Sequence, residues 1–577
     1  MPKKIHGFLF ALCALAAASA FAGAPPWRMI YNNDLYNIHS CESPYNPPGA
    51  RDGMTEAKIR AAVAEAAVPG MGAQLIAPNY GWVPSWQSKL VPLAEHEAWF
   101  RGHYGIKPAH AVWTFLREGG DLLGTFIDEC HKRGNAALAA FRVNDGHVQD
   151  MAFAPQKVAG WHVIFLSRFY VEHPELRRSP VKKTGWPDRV HDWSQPAARA
   201  HKEALLRELI ETYPALDGVE LDFQRYPAFF PSRMPAKERV EIMLDFLKKA
   251  RAMLDESSKK AGGAPRWLGA RVPLWPSAKD NNNDLHNGTW EEVGFDPAAW
   301  QAAGVDWFNL SPSYRLSQDM RGVARARKEA PGARIFAELT HTPLTWAVTA
   351  KDPNRPDGFG QVSAFRRATK ELLGTAARLA CARGADGVSL FNFFTYRAPS
   401  ARARDKNRDL AGPFDEPPFD QLPGLVDRRA LEDAPSYFYK VVAGAAFTDE
   451  ERRRDLELDL KPARGNSVAI LRLLVLSRQE LSLPDSAPLP AVNLDRGVWD
   501  VRFNGARLDV VQIPMPAHPF PSSYKAGFNH AEQYIAFKIP AGVIKDGPNK
   551  IRVEALRLPT RLYVRHLEII QLPAKSR

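Results

Sequence analysis

Cysteine is scarce in this sequence. Its 577 residues contain four cysteines, and the first of them, Cys13, lies in an apolar stretch near the N-terminus. The other three, Cys41, Cys130 and Cys381, are far apart, so they predict neither a disulfide framework nor a Cys-x-x-Cys metal pair. The stability of the fold must therefore come from a packed core.

Several motifs of cofactor and metal chemistry are also missing. The 16 histidines show no His-x-x-x-His or His-Glu-x-x-His spacing, so we expect no metal centre. The sequence has no Gly-x-Gly-x-x-Gly turn, phosphate loop or Gly-x-Ser-x-Gly elbow, which argues against dinucleotide, kinase-like and esterase chemistry. We therefore expect a protein that works without a cofactor.

Long apolar runs are absent beyond the N-terminus. There, Lys3 and Lys4 precede an apolar stretch with small residues near Ala22 and Ala24, and this pattern predicts a secretory signal peptide over residues 1–22. The stretch is shorter than a spanning helix of about 18 or more apolar residues, so we expect no membrane span. The sequence predicts an exported protein, either periplasmic or extracellular.

The charge is positive and spread along the chain. The formal net charge is +12, and removal of Lys3 and Lys4 with the signal leaves 12 − 2 = +10. Export argues against nucleic acid as a partner, and the charge balance favours attraction to an anionic glycan or to the cell envelope. The 15 Trp, 15 Tyr and 30 Phe supply flat apolar surfaces on which sugar rings stack. The oligomeric state stays open.

A strand-then-helix rhythm runs from about residue 27 to 400. Helical patterns at 121–134, 237–254 and 365–383 lie between apolar runs that end in turns. Eight such alternations predict a (β/α)8 TIM barrel over residues 25–400, with a doubly wound open sheet as the alternative. The predicted strands are Trp27–Asn32, Ala73–Tyr80, Ala136–Asn144, Gly218–Arg225, Trp267–Leu274, Val305–Ser311, Arg334–Leu339 and Gly387–Phe393.

The rhythm changes after the barrel. Residues 401–465 are predicted as a linker, rich at first in Arg, Asp and Pro, and a short helical strap. Residues 466–577 contain short strands and turns, among them Asn504-Gly505, and predict a small all-β sandwich domain. Its sequence is similar to the galactose-binding-like jelly rolls that accompany many glycosidases. Either a structural or a sugar-binding role is open to it.

Two acidic residues lie in phase on the fourth predicted strand, within Asp-Gly-Val-Glu-Leu-Asp-Phe-Gln-Arg-Tyr-Pro at 217–227. Because side chains alternate along a strand, Glu220, Asp222 and Gln224 share the barrel interior. Burial and mutual repulsion raise the pKa of at least one of the two acids, which suits proton donation. The alternative is that both acids are buried ion-pair partners of arginines such as Arg142, Arg225 or Arg271.

This motif resembles the strand signature of the glycosyl-hydrolase-like family ten barrels, Asp-Gly-Ile-x-Leu-Asp-x-x-Arg-Tyr-Pro. The resemblance covers the barrel, although only the fourth strand matches closely, and it implies a glycosidase. The strand is also similar to the family 18 chitinase pattern Asp-Gly-x-Asp-x-Asp-x-Glu. In that pattern the proton-donating Glu falls on Gln224, and an amide cannot donate a catalytic proton as a carboxylic acid does. The chitinase mechanism is therefore disfavoured.

A glycosidase needs a second carboxylate across the scissile bond. Glu338 lies near the C-terminal end of the seventh predicted strand, and this position resembles that of the nucleophile in retaining barrel glycosidases of clan A. We therefore predict Asp222 as general acid, Glu338 as nucleophile or base, and Glu220 as modulator or alternative acid. An internal salt bridge is the alternative for Glu338.

Polar residues at the other strand ends predict a ring that binds sugar hydroxyls and carboxylates. Trp82, Trp86, Trp275 and Trp307 are candidate stacking platforms. The predicted substrate-binding residues are Asn33, Tyr80, Arg142, Asn144, Gln224, Arg225, Tyr226, Arg271, Trp275, Asn309, Tyr314 and Asn392.

The leading hypothesis is an exported glycoside hydrolase that cleaves O-glycosidic bonds of a polysaccharide or glycoconjugate, neutral or anionic. A non-catalytic glycan-binding protein on a glycosidase-like barrel is the first alternative, because Gln224 stands where an acid is expected. An envelope-associated structural protein is the second. The sugar, the linkage, and endo or exo action stay open.

Overall fold

The computed structural model describes most of the chain, including the whole barrel wall. The predicted signal peptide at 1–22 lies outside the described residues, as does the first part of the predicted helix at 365–383. The described ranges are 25–35, 37–40, 43–47, 53–106, 110–153, 163–179, 186–277, 288–313, 316–341, 368–391, 393, 417–442, 446–465, 468–477, 497–511 and 534–572.

Eight parallel strands close into a barrel. Each strand pairs with the next one along the chain, and the eighth pairs with the first. The predicted (β/α)8 barrel is therefore confirmed, and the open doubly wound alternative is wrong. The strands are β1 (Met29–Asn33), β2 (Ala73–Ile76), β3 (Ala136–Arg142), β4 (Gly218–Asp222), β5 (Trp267–Pro273), β6 (Trp307–Ser311), β7 (Arg334–Thr340) and β8 (Gly387–Phe391).

Helices connect successive strands and surround the barrel. Many begin at a side-chain cap: Thr55, Asp121, Asp296 and Thr369 each accept a hydrogen bond from a main-chain N–H in the first turn. The principal helices are Glu56–Ala66, Leu93–Tyr104, Ala111–Arg117, Leu122–Lys132, Pro196–Thr212, Ala236–Lys260, Pro297–Ala302, Arg321–Glu329 and Lys370–Ala382, with short helices at Asn37–Ser40, Arg168–Glu172 and Trp290–Val293. No helix within the described ranges is long and apolar enough to cross a bilayer.

Side-chain alternation on β4 decides where its acids lie. Val219, Leu221 and Phe223 belong to the large hydrophobic core shared with the surrounding helices. The alternate residues Glu220 and Asp222 contact residues of β5 and β6 inside the barrel. The two-residue period of a strand therefore places both acids in the interior, as the sequence predicts.

Two antiparallel sheets follow the barrel and form the all-β domain. The five-stranded sheet has the order β9-β17-β11-β15-β14, and the four-stranded sheet has the order β10-β16-β12-β13. Asn504 and Gly505, with φ of 49° and 88°, form the tight turn between β12 and β13 that the Asn-Gly pair predicts. The strands are β9 (Ser436–Val441), β10 (Arg453–Leu460), β11 (Val468–Ser477), β12 (Val498–Phe503), β13 (Ala506–Arg507), β14 (Asp509–Val511), β15 (Tyr534–Ile539), β16 (Gly547–Arg557) and β17 (Leu562–Leu572).

The first sheet strand begins at Ser436, inside the segment 401–465 that the sequence predicts as linker and strap. A 3-10 helix at Phe419–Leu425 and a helix at Arg428–Asp433 supply the helical part of that segment. Strands β9 and β10 pair with β17 and β16 near the C-terminus. Their partners are distant in sequence, and therefore local composition gave little sign of them.

The sheets are attached to the barrel by arginine contacts. Arg378, on the helix before β8, donates to Ser436 Oγ at 2.7 Å. Arg383 donates to Asp459 on β10 at 2.6 Å and to Asp546 at 2.7 Å. The barrel and the sheets therefore share a bonded interface.

Candidate active site

Three carboxylates surround one guanidinium inside the barrel. We call Glu220, Asp222, Glu338 and Arg271 the acid cluster. Arg271 Nη1 donates to Asp222 Oδ2 at 3.0 Å, and its Nε and Nη2 donate to the two Glu338 oxygens at 2.6 and 2.7 Å. Asp222 and Glu338 are joined through one guanidinium and a hydrogen bond on each side of it. The distance between their nearest oxygens is therefore below roughly 9.5 Å, the upper limit for the separation of the two catalytic carboxyl groups in inverting glycosidases.

Glu338 has further donors besides Arg271. Ser311 Oγ donates to Glu338 Oε1 at 2.6 Å, and Asn309 Nδ2 lies 3.4 Å from Oε2. Each carboxylate oxygen therefore has two donors, and the side chain is fully buried. In the resting structure Glu338 is thus the partner in a buried salt bridge, which is the alternative that the sequence left open.

Glu220 lies one layer deeper than Asp222 and is 0% exposed. Asn309 Nδ2 and Trp307 Nε1 are its donors, at 3.2 and 3.4 Å. Burial raises the pKa of Glu220 to about 8; Arg271 opposes this rise, and the charges of Asp222 and Glu338 add to it. Glu220 therefore carries a proton at neutral pH.

Asp222 also shapes the chain that leaves β4. Its Oδ1 accepts the main-chain N–H groups of Gln224 and Arg225 at 2.9 and 3.1 Å, which closes a turn directly above the barrel. The Gln224 side chain is buried, and neither its Oε1 nor its Nε2 has a partner among the described residues. A buried amide with both polar atoms unpaired can accept and donate hydrogen bonds to a bound sugar.

A second set of charges lies at the C-terminal ends of β1, β3 and β4. We call Asp34, Arg142, Asp145, His147 and Arg225 the mouth cluster. Asp34 accepts from Arg142 at 2.5 Å and from Arg225 at 2.6 Å. Asp145 accepts from Arg142 at 2.8 Å and from His147 Nδ1. Charge therefore alternates in sign across the mouth.

Both acids of the mouth cluster are held ionised. Burial raises the pKa of Asp34, but Arg142 and Arg225 outweigh it and lower the pKa overall. Burial likewise opposes ionisation of Asp145, and His147 and Arg142 hold its pKa well below the usual range. The arginines of the mouth are thus already partnered in the resting structure.

Aromatic rings line the mouth cluster. The Arg142 guanidinium lies 5.0 Å from the ring centre of Tyr80, and the His147 ring lies between Tyr80 and Tyr226 at 4.9 and 5.0 Å. Burial raises the pKa of Tyr80 well above its usual value. Tyr226 has a φ of 56°, a left-handed conformation that is rare for a residue other than glycine.

Phe391 joins the two clusters. The Arg271 guanidinium lies 4.3 Å from the ring centre of Phe391, and the Arg225 guanidinium lies 5.0 Å from it. Such contacts fix the planes of both cations. The acid cluster and the mouth cluster therefore form one continuous site.

The structure places the other predicted binding residues in different roles. Asn309 belongs to the acid cluster, where it also donates to Ser389 Oγ at 3.0 Å. Asn144 exchanges hydrogen bonds with the main chain of His191 and therefore supports a loop. Asn33 and Trp275 are buried. Tyr314 and Asn392 lie outside the described residues, so their predicted role stays a prediction.

Three of the proposed stacking platforms are core residues. Trp307 is fully buried against Trp27, with ring centres 5.6 Å apart. Trp82 packs on His191 at 4.1 Å, and Trp86 is buried and donates to Glu208 at 3.1 Å. The expectation that these three tryptophans stack on sugars is wrong, because their faces are already covered by protein.

Sequence reasoning missed two functional candidates. His147 was considered only for metal spacing, and Phe391 was not singled out. The segment Asp145-Gly146-His147, which begins three residues after the end of β3, carried a usable signal, because an acid two residues from a histidine can orient its ring. The described residues contain no group of three or more His, Cys, Asp or Glu side chains arranged to hold a metal ion.

Comparison with known proteins adds only distant structural neighbours. No protein-family model and no curated protein matches the sequence. A chitinase from Chromobacterium violaceum matches with 13% identity and a TM-score of 0.30, over 63% of this chain and 93% of its own. A family 18 chitinase from Cycas revoluta matches with 10% identity and a TM-score of 0.35, over 70% and 99%.

A proposed alpha-L-fucosidase from Bacteroides thetaiotaomicron matches with 11% identity and a TM-score of 0.33, over 95% of this chain and 94% of its own. Likeness at this level supplies no evidence for activity or substrate. The resemblance of β4 to glycosyl-hydrolase-like family ten stays a prediction, and the functional argument depends on the site itself.

Proposed function

We propose that this protein is an exported glycoside hydrolase that cleaves O-glycosidic bonds of a polysaccharide or glycoconjugate. The observation that carries this proposal is the acid cluster, in which Glu220 and Asp222 both point into the barrel and Asp222 ends β4. Barrel enzymes place their chemistry at this end of the strands. Export is inferred from the N-terminal sequence.

Glu220 and Asp222 act in this proposal as a pair that shares one proton. At rest the proton is on Glu220, because burial raises the pKa of that carboxyl to about 8. A glycosidic oxygen that enters beside Asp222 displaces Arg271 from this carboxylate. Asp222 then takes up the proton and passes it to the leaving oxygen.

Glu338 stays the predicted nucleophile or base. This role requires that Glu338 exchange at least one of its four donors for substrate, since both oxygens are engaged at rest. The polar groups of Gln224 supply part of the sugar-binding surface. The net positive charge favours an anionic substrate over a neutral one.

The direct test is hydrolysis by the purified mature protein on a panel of neutral, uronic-acid and sulfated glycans. We expect product from at least one glycan and a loss of about 10²–10⁴-fold in kcat for Asp222→Asn. Glu172→Gln, which alters an exposed pair with Arg168 outside both clusters, is the matched control and is expected to keep wild-type activity. Full activity of Asp222→Asn would contradict the proposal.

A second function is a glycan-binding protein without turnover. The observation that favours it is Arg271, whose guanidinium is bonded to both Asp222 and Glu338 in the resting structure. This function predicts that calorimetry detects oligosaccharide binding while prolonged incubation yields no product. Binding then weakens in Gln224→Ala, because the buried amide loses its contacts with the sugar.

A further inference from the structure

We propose that His147 is a proton-transfer residue of this site and that it, instead of Glu338, is the base that activates water. The inference rests on the proposed hydrolase function and assigns a step within it. It starts from an imidazole at the barrel mouth whose orientation is fixed by a buried carboxylate.

Asp145 determines which nitrogen of His147 is available. Asp145 Oδ1 accepts from His147 Nδ1 and from the His147 main-chain N–H, the latter at 2.9 Å. Its Oδ2 accepts from Arg142 at 2.8 Å and from the Gly81 N–H at 3.2 Å. The proton of a neutral His147 is therefore on Nδ1, and the lone pair of Nε2 is free to accept another. Carboxylates orient catalytic histidines in this way.

Accessibility separates His147 from Glu338. The His147 side chain is 25% exposed, and no described residue bonds to its Nε2, whereas Glu338 is fully buried with both oxygens engaged. Water reaches Nε2 without breaking any described contact. It reaches Glu338 only after a donor leaves.

The backbone around His147 is held in an unusual conformation. Val148 and Tyr226 have φ of 57° and 56°, and both adjoin the His147 side chain in sequence or in space. Gly146 leaves no room for a side chain, because a Cβ there would lie 2.8 Å from the Arg189 carbonyl oxygen and 3.0 Å from the Tyr226 ring. Strain of this kind persists where the surrounding structure fixes a functional geometry.

The proposed step balances as follows. A water molecule gives one proton to His147 Nε2 while its oxygen bonds to the anomeric carbon, and the glycosidic carbon–oxygen bond breaks. The leaving oxygen takes the proton delivered by the Glu220 and Asp222 pair. The imidazolium keeps its Nδ1–H bond to ionised Asp145 and then loses its Nε2 proton to solvent, from which the acid pair is reprotonated.

The charges that face His147 come from several elements. Asp145 lies on its own loop, Arg142 ends β3, and Asp34 and Arg225 follow β1 and β4. The phenol groups of Tyr80 and Tyr226 flank the ring. The basic limb of a pH–rate profile belongs in this proposal to Glu220, whose pKa is raised to about 8 by burial.

The experiment combines kinetics with chemical modification on the full mature chain, using a glycan that the wild type cleaves. His147→Gln is expected to lower kcat by about 10²–10⁴-fold. His173→Gln is the matched control, because His173 also pairs with a nearby carboxylate, Glu175, at 3.0 Å on an exposed surface. We expect it to keep the wild-type rate.

Diethyl pyrocarbonate supplies a readout that needs no variant. The reagent attacks a neutral, accessible Nε2, so we expect peptide mapping to show His147 modified in parallel with loss of activity, and hydroxylamine to reverse both. His96 is the internal reference, since its Nε2 is buried and bonded to the Ile164 carbonyl at 2.8 Å. Its modification is expected to be much slower.

The outcomes separate the two proposals. If Asp222→Asn loses activity while His147→Gln keeps the wild-type rate, the assignment of His147 is overturned and the hydrolase function stands. If modification of His147 leaves activity intact, the same conclusion follows. If the wild type cleaves no glycan in the panel, the hydrolase function fails and the assignment of His147 fails with it.

Discussion

The acid cluster and the mouth cluster both pair carboxylates with guanidinium groups, but they differ in solvent access. In the acid cluster, one guanidinium and its neighbours engage Asp222 and Glu338, and all three acids are buried. In the mouth cluster, two arginines share Asp34, whose side chain is 14% exposed, and no described residue bonds to Nε2 of His147.

The difference shows how solvent access decides what an ionisable group can do. In the dry interior a charge must be neutralised where it stands, so Glu220 takes up a proton and the other two acids bind Arg271. At the mouth, Arg142 and Asp145 are as buried as the acid cluster, but the side chains of Asp34 and His147 are 14% and 25% exposed, so these two groups can exchange with water. The acid cluster therefore holds a proton on Glu220, and the mouth cluster contains groups that can exchange a proton with water.

The largest effect is expected for Arg271→Met, which removes the cation of the acid cluster. At pH 7 it leaves Asp222 and Glu338 buried without their partner, so we expect a loss of about 3–5 kcal/mol in the free energy of unfolding. Urea unfolding measures it. Arg271→Lys is the control, since it retains charge but not the two-pronged bond to Glu338, and it is expected to lose less. If Arg271→Met and the wild type had the same free energy of unfolding, the buried acids would not need their cation, and the proposed difference between the two clusters would be wrong.

Glu220→Gln tests whether Glu220 of the acid cluster is protonated in the folded chain. The pKa of Glu220 is about 8 in the folded chain and near 4.5 when unfolded, so between these values the folded chain holds a proton that the unfolded chain releases. This stabilisation is complete below pH 4.5 and is lost as the pH rises to 8.

Glu220→Gln cannot ionise, so its stability should fall less steeply over the same range. At about 1.4 kcal/mol per pKa unit, we expect the variant to gain on the order of 3 kcal/mol relative to the wild type between pH 5 and pH 8. Urea titrations at pH 5, 6.5 and 8 measure the difference. Parallel pH dependence in the two proteins would show that Glu220 is ionised throughout.

A smaller effect is expected for Asp34→Asn in the mouth cluster. The substitution weakens the bonds to Arg142 and Arg225, but water replaces part of the interaction, so we expect a cost of about 2 kcal/mol at pH 7. The pKa of Asp34 is lowered by folding, so its contribution is present above pH 3.8 and is lost on acidification.

The cost of Asp34→Asn should therefore be smaller at pH 3 than at pH 7, as measured by urea unfolding at both values. Glu172→Gln alters an exposed ion pair within one helix and is the reference for a small effect. We expect it to lower the free energy of unfolding by under about 0.5 kcal/mol. If Asp34→Asn lowered the free energy of unfolding as much as Arg271→Met does, solvent would be excluded from the mouth cluster as completely as from the acid cluster.

Local sequence was sufficient to predict the features of the fold that depend on neighbouring residues. The eight apolar runs predicted the eight barrel strands, and the two-residue alternation on β4 placed Glu220 and Asp222 inward. The Asn504-Gly505 pair predicted its turn. Each of these features depends on neighbouring residues, so a short window of sequence contains the information.

The arrangement of charges could not be predicted in the same way. Arg271 was one of several arginines proposed for Asp222, and only the barrel register places it between Asp222 and Glu338, which are more than a hundred residues apart in the chain. The burial of Trp82, Trp86 and Trp307 depends likewise on residues brought in from other elements.

The sequence by itself determined a barrel with an inward pair of acids on its fourth strand, since both follow from strand periodicity and chain order. Only the tertiary structure decided that Glu220 is the acid whose pKa is raised, that Arg271 bonds to both Asp222 and Glu338, and that Nδ1 of His147 is the nitrogen bound to Asp145. Ionisation depends on desolvation and on charges a few ångströms away, and these distances are set by contacts between strands that the chain order does not specify.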